Sequence, residues 1–211
     1  MASPSTTART MSPKPCSVIE LRQYTLHPGQ RETLIALFER EFIETQEAVG
    51  LQVLGIFRDL DAEDRFVWWR GFADMPARAA GLAAFYGGPA WQAHRNAANA
   101  TMVDSDDVLL LRPLTAWPAP GAARSNWHAV VCPLATPPDA ALVDALRASG
   151  DCWLETEPAE NNFPRLPVRG GETVVVGLSR APLTLPALLA ERLAGAVQHL
   201  HLAPTGRSRR A

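Results

Sequence analysis

The chain has 211 residues and a formal charge of −2, with 47% hydrophobic and 20% charged residues. That composition is globular, and the length suits one large or two small domains. The charge excludes a broad cationic field for nucleic acid or anionic lipid, and no apolar run approaches the roughly 20 residues of a bilayer span.

The first segment, MASPSTTARTMSPKPCS, lacks the apolar core of a secretory signal, and residues 1–15 read as a disordered tail. SVIELRQYTL (17–26) alternates like a strand, and His27-Pro28-Gly29 turns the chain. Pro28 suits the start of a helix in which Leu34, Leu37, Phe38, Phe42 and Thr45 trace one stripe up to Gly50. Residues 51–60 and 65–74 form a hairpin around an acidic turn. Asp74 caps the next helix, which ends at Gly87-Gly88 and restarts at Pro89 as AWQAHRNAANATM. A strand over 105–114 closes the unit, so residues 16–114 run β-α-β-β-α-β, the ferredoxin-like order.

Residues 115–125, rich in Pro, Gly and Ala, read as a linker, and residues 126–211 repeat the pattern more weakly. NWHAVVCPL is a strand and PPDAALVDALRAS a helix; two strands flank a long polar connection that includes the loop ENNFPRLPVRGGE (160–172). LPALLAERLAGAVQHL reads as a helix, and HLAPTGRSRR as an edge strand or tail. The fold class is α+β, two tandem ferredoxin-like units whose sheets bury faces that neither buries alone. Cys16, Cys132 and Cys152 have no zinc-ligand spacing, and their odd number fits a reducing, cytoplasmic compartment. Zincin, CxxC, phosphate-loop and nucleophile-elbow patterns do not occur, so no metal site is expected.

Candidate chemistry gathers in two places. On a helix starting at Pro89, Trp91, His94, Arg95, Ala98 and Met102 share a broad face flanked by Asn99. His94 is either a general base or haem ligand, or a core histidine bonded to a backbone carbonyl. Asn99 either holds a substrate oxygen or makes a helix-end hydrogen bond; Trp91 lines a pocket or fills the core. On the first strand Glu20, Arg22 and Tyr24 share a face, and on the third Phe66, Trp68 and Arg70 do, with Trp69 opposite. If Glu20, Arg22 and Arg70 share a barrel interior, they form an anion pocket or an ion-pair network that docks the sheets. A cavity of about 300 Å3 converging on these groups would mark a binding site.

ELRQYTLHPGQ (20–30), GIFRDLDAEDRFVWWRGFADMPAR (55–78), AFYGGPAWQAHRNAANATMVDSDDVLLLRP (84–113) and TEPAENNFPRLPVR (156–169) closely resemble the NIPSNAP family. The resemblance spans nearly the whole chain beyond its first fifteen residues and includes the unusual strings FYGGPAW and ENNFP. It implies the dimeric α+β barrel fold, whose wider superfamily includes cofactor-free monooxygenases, isomerases and haem-binding proteins. The expectation is a cofactor-free enzyme, monooxygenase-like or isomerase/cyclase-like, acting on an aromatic or polyketide-like metabolite. His94 and Asn99 are its candidate catalytic residues, and Arg22, Tyr24, Trp69, Arg70, Tyr86 and Trp91 its candidate substrate-binding ones. The alternative is a non-catalytic ligand-binding, haem-binding or interaction protein. A homodimer or higher homo-oligomer is expected in either case.

Overall fold

The computed structural model describes residues 15–118 and 125–208; all but the last residue of the expected tail, and the middle of the expected linker, lie outside them. The first unit comprises β1 (Val18–Leu26), α1 (Arg31–Leu37), α2 (Ile43–Glu47), β2 (Gln52–Asp59), β3 (Arg65–Phe72), α3 (Met75–Gly87), α4 (Pro89–Asn99) and β4 (Met102–Pro113). The second comprises β5 (Trp127–Leu134), α5 (Ala140–Ala148), β6 (Cys152–Thr156), β7 (Thr173–Ser179), α6 (Ala187–Ala190) and β8 (Gln198–Pro204). Within each unit the strands pair in the same order, β4-β1-β3-β2 and β8-β5-β7-β6. The two sheets meet at both edges, β2 against β8 and β4 against β6, and close one barrel. Closure removes the open edges that would otherwise invite pairing with another chain.

Strand alternation decides which residues fill the barrel. Ile19, Leu21, Val67, Trp69, Leu109 and Leu111 point inward to meet Trp127, Ala129, Val131, Leu154, Val174, Val176 and Leu200 of the second unit. Trp117, from the stretch read as a linker, packs edge-on against Trp69 at 5.2 Å and helps fill this core. Gln23 and Gln198 exchange side-chain hydrogen bonds of 3.2 and 2.9 Å between the units. The alternate residues of β1 and β3, among them Tyr24, Phe66, Trp68 and Phe72, face outward against Leu34, Phe38, Phe42, Leu82 and Phe85 of the helices.

Local signals account for most boundaries. Gly50 ends the first helical stretch at φ +86°, a left-handed position that favours glycine. The Asp74 carboxylate accepts from the Ala77 N–H at 2.7 Å, with Pro76 in the first turn. Asp74→Ala should cost about 1 kcal/mol of stability in a urea titration, and no loss would remove the cap from the account of α3. At the break, α3 ends at Gly87 and α4 begins at Pro89, as the sequence predicts.

Two elements differ from expectation. The first helix is not uniform: Phe38–Phe42 is a π-helical segment between α1 and α2. The carbonyls of Glu41 and Phe42 accept from Thr45 Oγ1 (2.5 Å) and Gln46 Nε2 (2.8 Å). Side-chain bonds of this kind compete with the regular ladder and stabilise the insertion. The helix expected over 185–200 shrinks to Ala187–Ala190; Leu193 bridges to Leu134, and Gln198 opens β8. Pairing of Gln198–Leu202 with β5, and of Leu202–Pro204 with β2, closes the barrel and outweighs the helical propensity of this stretch.

Candidate functional site

Between the sheet of the first unit and its helices lies a cavity lined by Tyr24, Leu34, Phe38, Phe42, Gln46, Trp68, Phe85, Tyr86, Trp91, Ala98 and Met102. Its walls are aromatic: Trp91 stands 4.8 Å from Tyr86 and 5.6 Å from Phe42, measured between ring centroids. The cavity volume is about 30 Å3, so the 300 Å3 set above as the mark of a binding site is not met in this state. A space of that size holds water or a small polar group; anything larger must displace lining side chains.

The polar end of the cavity rests on a buried ion cluster. Register pairs Glu20 with Arg70, Arg22 with Trp68 and Tyr24 with Phe66, which places these side chains on one face of the sheet. That face looks toward the helices, not into the barrel as expected, because the inward positions belong to Leu21, Val67 and Trp69. Glu20, fully buried, is bonded by Arg70 at 2.7 Å, Arg22 at 2.9 Å and Arg78 at 2.8 Å. Burial would raise the Glu20 carboxyl, but Arg70, Arg22 and Arg78 together hold it at about 2.

The cluster reaches the cavity through Tyr24 and Gln46. Arg22 Nε donates to the Tyr24 hydroxyl at 2.9 Å, and Arg70 donates to Gln46 Oε1 at 3.1 Å. Burial pushes the Tyr24 phenol up, against the pull of Arg22, so it stays protonated at neutral pH and keeps its O–H to donate. Burial would lower Arg22, but Tyr24 and Glu20 outweigh it and push the guanidinium up, fixing its charge. Burial lowers Arg78, against the attraction of Glu20. The guanidinium of Arg70 also sits 4.9 Å from the Trp68 ring centroid.

The expected site residues fall into three groups. Arg22, Tyr24, Arg70, Tyr86 and Trp91 come together at the cavity or directly behind it. His94 is not among the lining residues; one-third exposed, it has Nε2 3.3 Å from Glu41 Oε2 and its ring 6.4 Å from that of Phe42, which does line the cavity. It pairs with a carboxylate and not with the backbone carbonyl considered above. Trp69 and Asn99 do not reach the site: Trp69 is in the barrel core, and Asn99 is exposed on α4. Of the Trp68-Trp69 pair, alternation puts Trp68 on the face of Arg22 and Arg70.

Arg78, Gln46, Phe38, Phe42 and Phe85 went unread as site residues. Arg78 sits in an alanine-rich helix whose buried side the sequence leaves undefined, and Gln46 is the polar member of an otherwise apolar stripe. The polar loop of the second unit lies across the first. Asn161 and Asn162 accept from Arg78 at 3.0 and 2.8 Å, Asn162 donates to the Met75 carbonyl, and Phe163 stacks on Tyr86.

Strand pairing gathers histidines that look scattered in sequence. His128, His199 and His201 line an open groove of about 340 Å3 with Asp61 and Leu183, and the rings of His128 and His201 stack at 4.8 Å. Among the described residues, no group of three or more His, Cys, Asp or Glu could hold a metal ion, and no helix is long and apolar enough to cross a membrane. Burial pushes the Cys132 and Cys152 thiols to about 12, so both behave as small apolar groups. The cavity also does not fit haem: a porphyrin is far larger, and His94 already carries Glu41 on Nε2.

Comparison with known proteins agrees with this architecture. Residues 19–118 match the NIPSNAP family model. A candidate monooxygenase from Fusobacterium nucleatum superposes with a TM-score of 0.61 at 8% identity, over 90% of this chain and 93% of that one. A second, from Lactobacillus acidophilus, gives 0.58 at 12% identity, over 89% and 93%. A NIPSNAP-like domain protein from Burkholderia xenovorans is 27% identical over 48% of this chain and 89% of its own, with a TM-score of 0.44. No curated protein matches the chain. Residues 19–118 thus match the NIPSNAP family model, and the two like units close one antiparallel barrel, the architecture of dimeric α+β barrel proteins.

Proposed function

We propose that the cavity of the first unit is a small-molecule site for cofactor-free chemistry on an enolisable aromatic compound. The observation that carries this reading is the Tyr24 hydroxyl, held by Arg22 at 2.9 Å at the polar end of an aromatic chamber. A donor fixed in advance, with a guanidinium behind it and little water around it, stabilises an oxygen that gains negative charge. Removal of a proton from the neighbouring carbon would create such an enolate oxygen.

His94 serves as the base in this scheme. Glu41 takes the Nε2 side of the ring, which leaves Nδ1 as the basic nitrogen. The Phe42 ring stands between His94 and the cavity, so it turns aside when a ligand enters. Reprotonation of the enolate at another atom is isomerisation. Reaction of the carbanion with O2 is oxygenation, in which a CH2 group becomes a carbonyl and the second oxygen atom leaves as water. The monooxygenase assignments of the two fold neighbours support the second course.

The test is solvent-deuterium exchange at the acidic carbon of anthrone and of 1,3-dicarbonyl compounds, followed by proton NMR, with O2 uptake measured in parallel. Tyr24→Phe and His94→Ala should each slow a turnover found in the wild type by about 100-fold, within the range for a positioned proton donor or base. Undiminished rates in Tyr24→Phe would overturn the oxyanion role, and undiminished rates in His94→Ala would remove His94 from the mechanism. Saturable binding with neither exchange nor O2 uptake would make the site a binding pocket without catalysis.

A further inference from the structure

We infer that the cavity selects an anion: its ligand is an aromatic monocarboxylate, the ring in the aromatic chamber and the carboxylate at the Tyr24–Trp68 end. This rests on the reading of the cavity as a small-molecule site and names a ligand class that mimics the enolate, its carboxylate accepting the Tyr24 O–H in the place of the enolate oxygen.

The first ground is charge. Arg22, Arg70 and Arg78 surround the single carboxylate of Glu20, and all four side chains are at most 2% exposed. The cluster therefore retains net positive charge away from water, where a charge without a counter-ion is costly. Gln46, Asn161, Asn162 and Tyr24 supply neutral acceptor oxygens to the guanidiniums, but no second negative charge. A carboxylate placed in the adjoining cavity would supply one.

The second ground is independent of charge and concerns hydrogen bonding. Trp68, a lining residue 2% exposed, has a buried indole N–H with no hydrogen-bond partner among the described residues. The Tyr24 oxygen accepts from Arg22, which leaves its O–H to donate. The carbonyl oxygen of Gln46 is taken by Arg70, and its amide donates to the Phe42 carbonyl. The polar end of the cavity thus offers the Tyr24 O–H and the Trp68 N–H as donors, a pair that suits the two oxygens of a carboxylate. Beyond it, Phe38, Phe42, Phe85 and Trp91 offer ring faces and edges that suit an aromatic body. The volume of about 30 Å3 admits such a ligand only as lining side chains move, and Phe42, one of them, sits at the end of the π-helical segment.

The experiment is isothermal titration calorimetry of the full chain at pH 7 with benzoate and with benzamide, which has the same ring and a neutral head group. Benzoate should saturate one site, with benzamide weaker by about 10-fold or more, as expected when charge-assisted hydrogen bonds are lost. Tyr24→Phe and Trp68→Phe should each weaken benzoate by about 10-fold and benzamide by less; circular dichroism checks that both variants fold. Equal affinity for the two compounds overturns the anion assignment and leaves the small-molecule site standing. Absence of binding by both overturns that site and this inference with it. Benzoate binding that neither variant weakens places the anion elsewhere and overturns the inference alone.

Discussion

Replacing Glu20 with Gln is expected to destabilise the chain by about 3 to 5 kcal/mol, because it leaves buried guanidiniums without their shared counter-ion. Arg70, Arg22 and Arg78 all lie within 2.9 Å of that carboxylate, from two strands and a helix, so its charge ties α3 to the sheet. The same group makes stability depend on pH. Its folded pKa of about 2 lies below its ordinary value of 4.5, so the folded state binds the proton more weakly than the unfolded chain. The stabilisation is therefore complete above pH 4.5 and is lost as pH falls from there toward 2, by about 3 kcal/mol in all. Urea titrations between pH 7 and pH 3 should show this loss in the wild type and not in Glu20→Gln. A variant within 1 kcal/mol of wild type at pH 7 would mean that the guanidiniums are satisfied without the carboxylate.

Trp69→Ala is expected to cost about 3 to 5 kcal/mol, the range for emptying a large aromatic position in a packed core. Trp69 is fully buried inside the barrel, edge-on to Trp117, at the junction of the two units. Its loss should lower the urea midpoint while the preference for benzoate over benzamide persists in the folded variant. The comparison separates the barrel core from the cavity, since Trp68, its neighbour in sequence, lies on the opposite face of the sheet. A folded Trp69→Ala that had lost benzoate binding would contradict that separation.

These predictions turn on one bit of structural information that the sequence contains but does not interpret. Period-two alternation puts Glu20, Arg22 and Tyr24 on one face of β1, and Phe66, Trp68 and Arg70 on one face of β3. It does not say which face meets helices and which lines a barrel. Both faces carry tryptophan, so hydrophobicity cannot decide between them. The same limit explains Asn99: on a short helix the residues flanking an apolar stripe lie near the boundary with solvent, and only packing of Trp91 against Phe42 of the π-helical segment and Phe85 of α3 shows which side is covered.

What the sequence by itself determined is local and repetitive: the duplicated β-α-β-β-α-β order, the cap at Asp74, the break at Gly87-Gly88-Pro89, and the set of residues sharing each strand face. Capping, turn chemistry and side-chain period act over a few residues and leave their mark in the chain. Only the tertiary structure decided the barrel closure, the conversion of residues 198–200 from expected helix to strand, and the convergence of Arg22, Arg70 and Arg78 on Glu20. It also set the π-helical insertion beside the cavity and the reach of Asn161, Asn162 and Phe163 across to the first unit. Those features arise from contacts between segments far apart in the chain, whose energies outweigh local propensity and have no local signature.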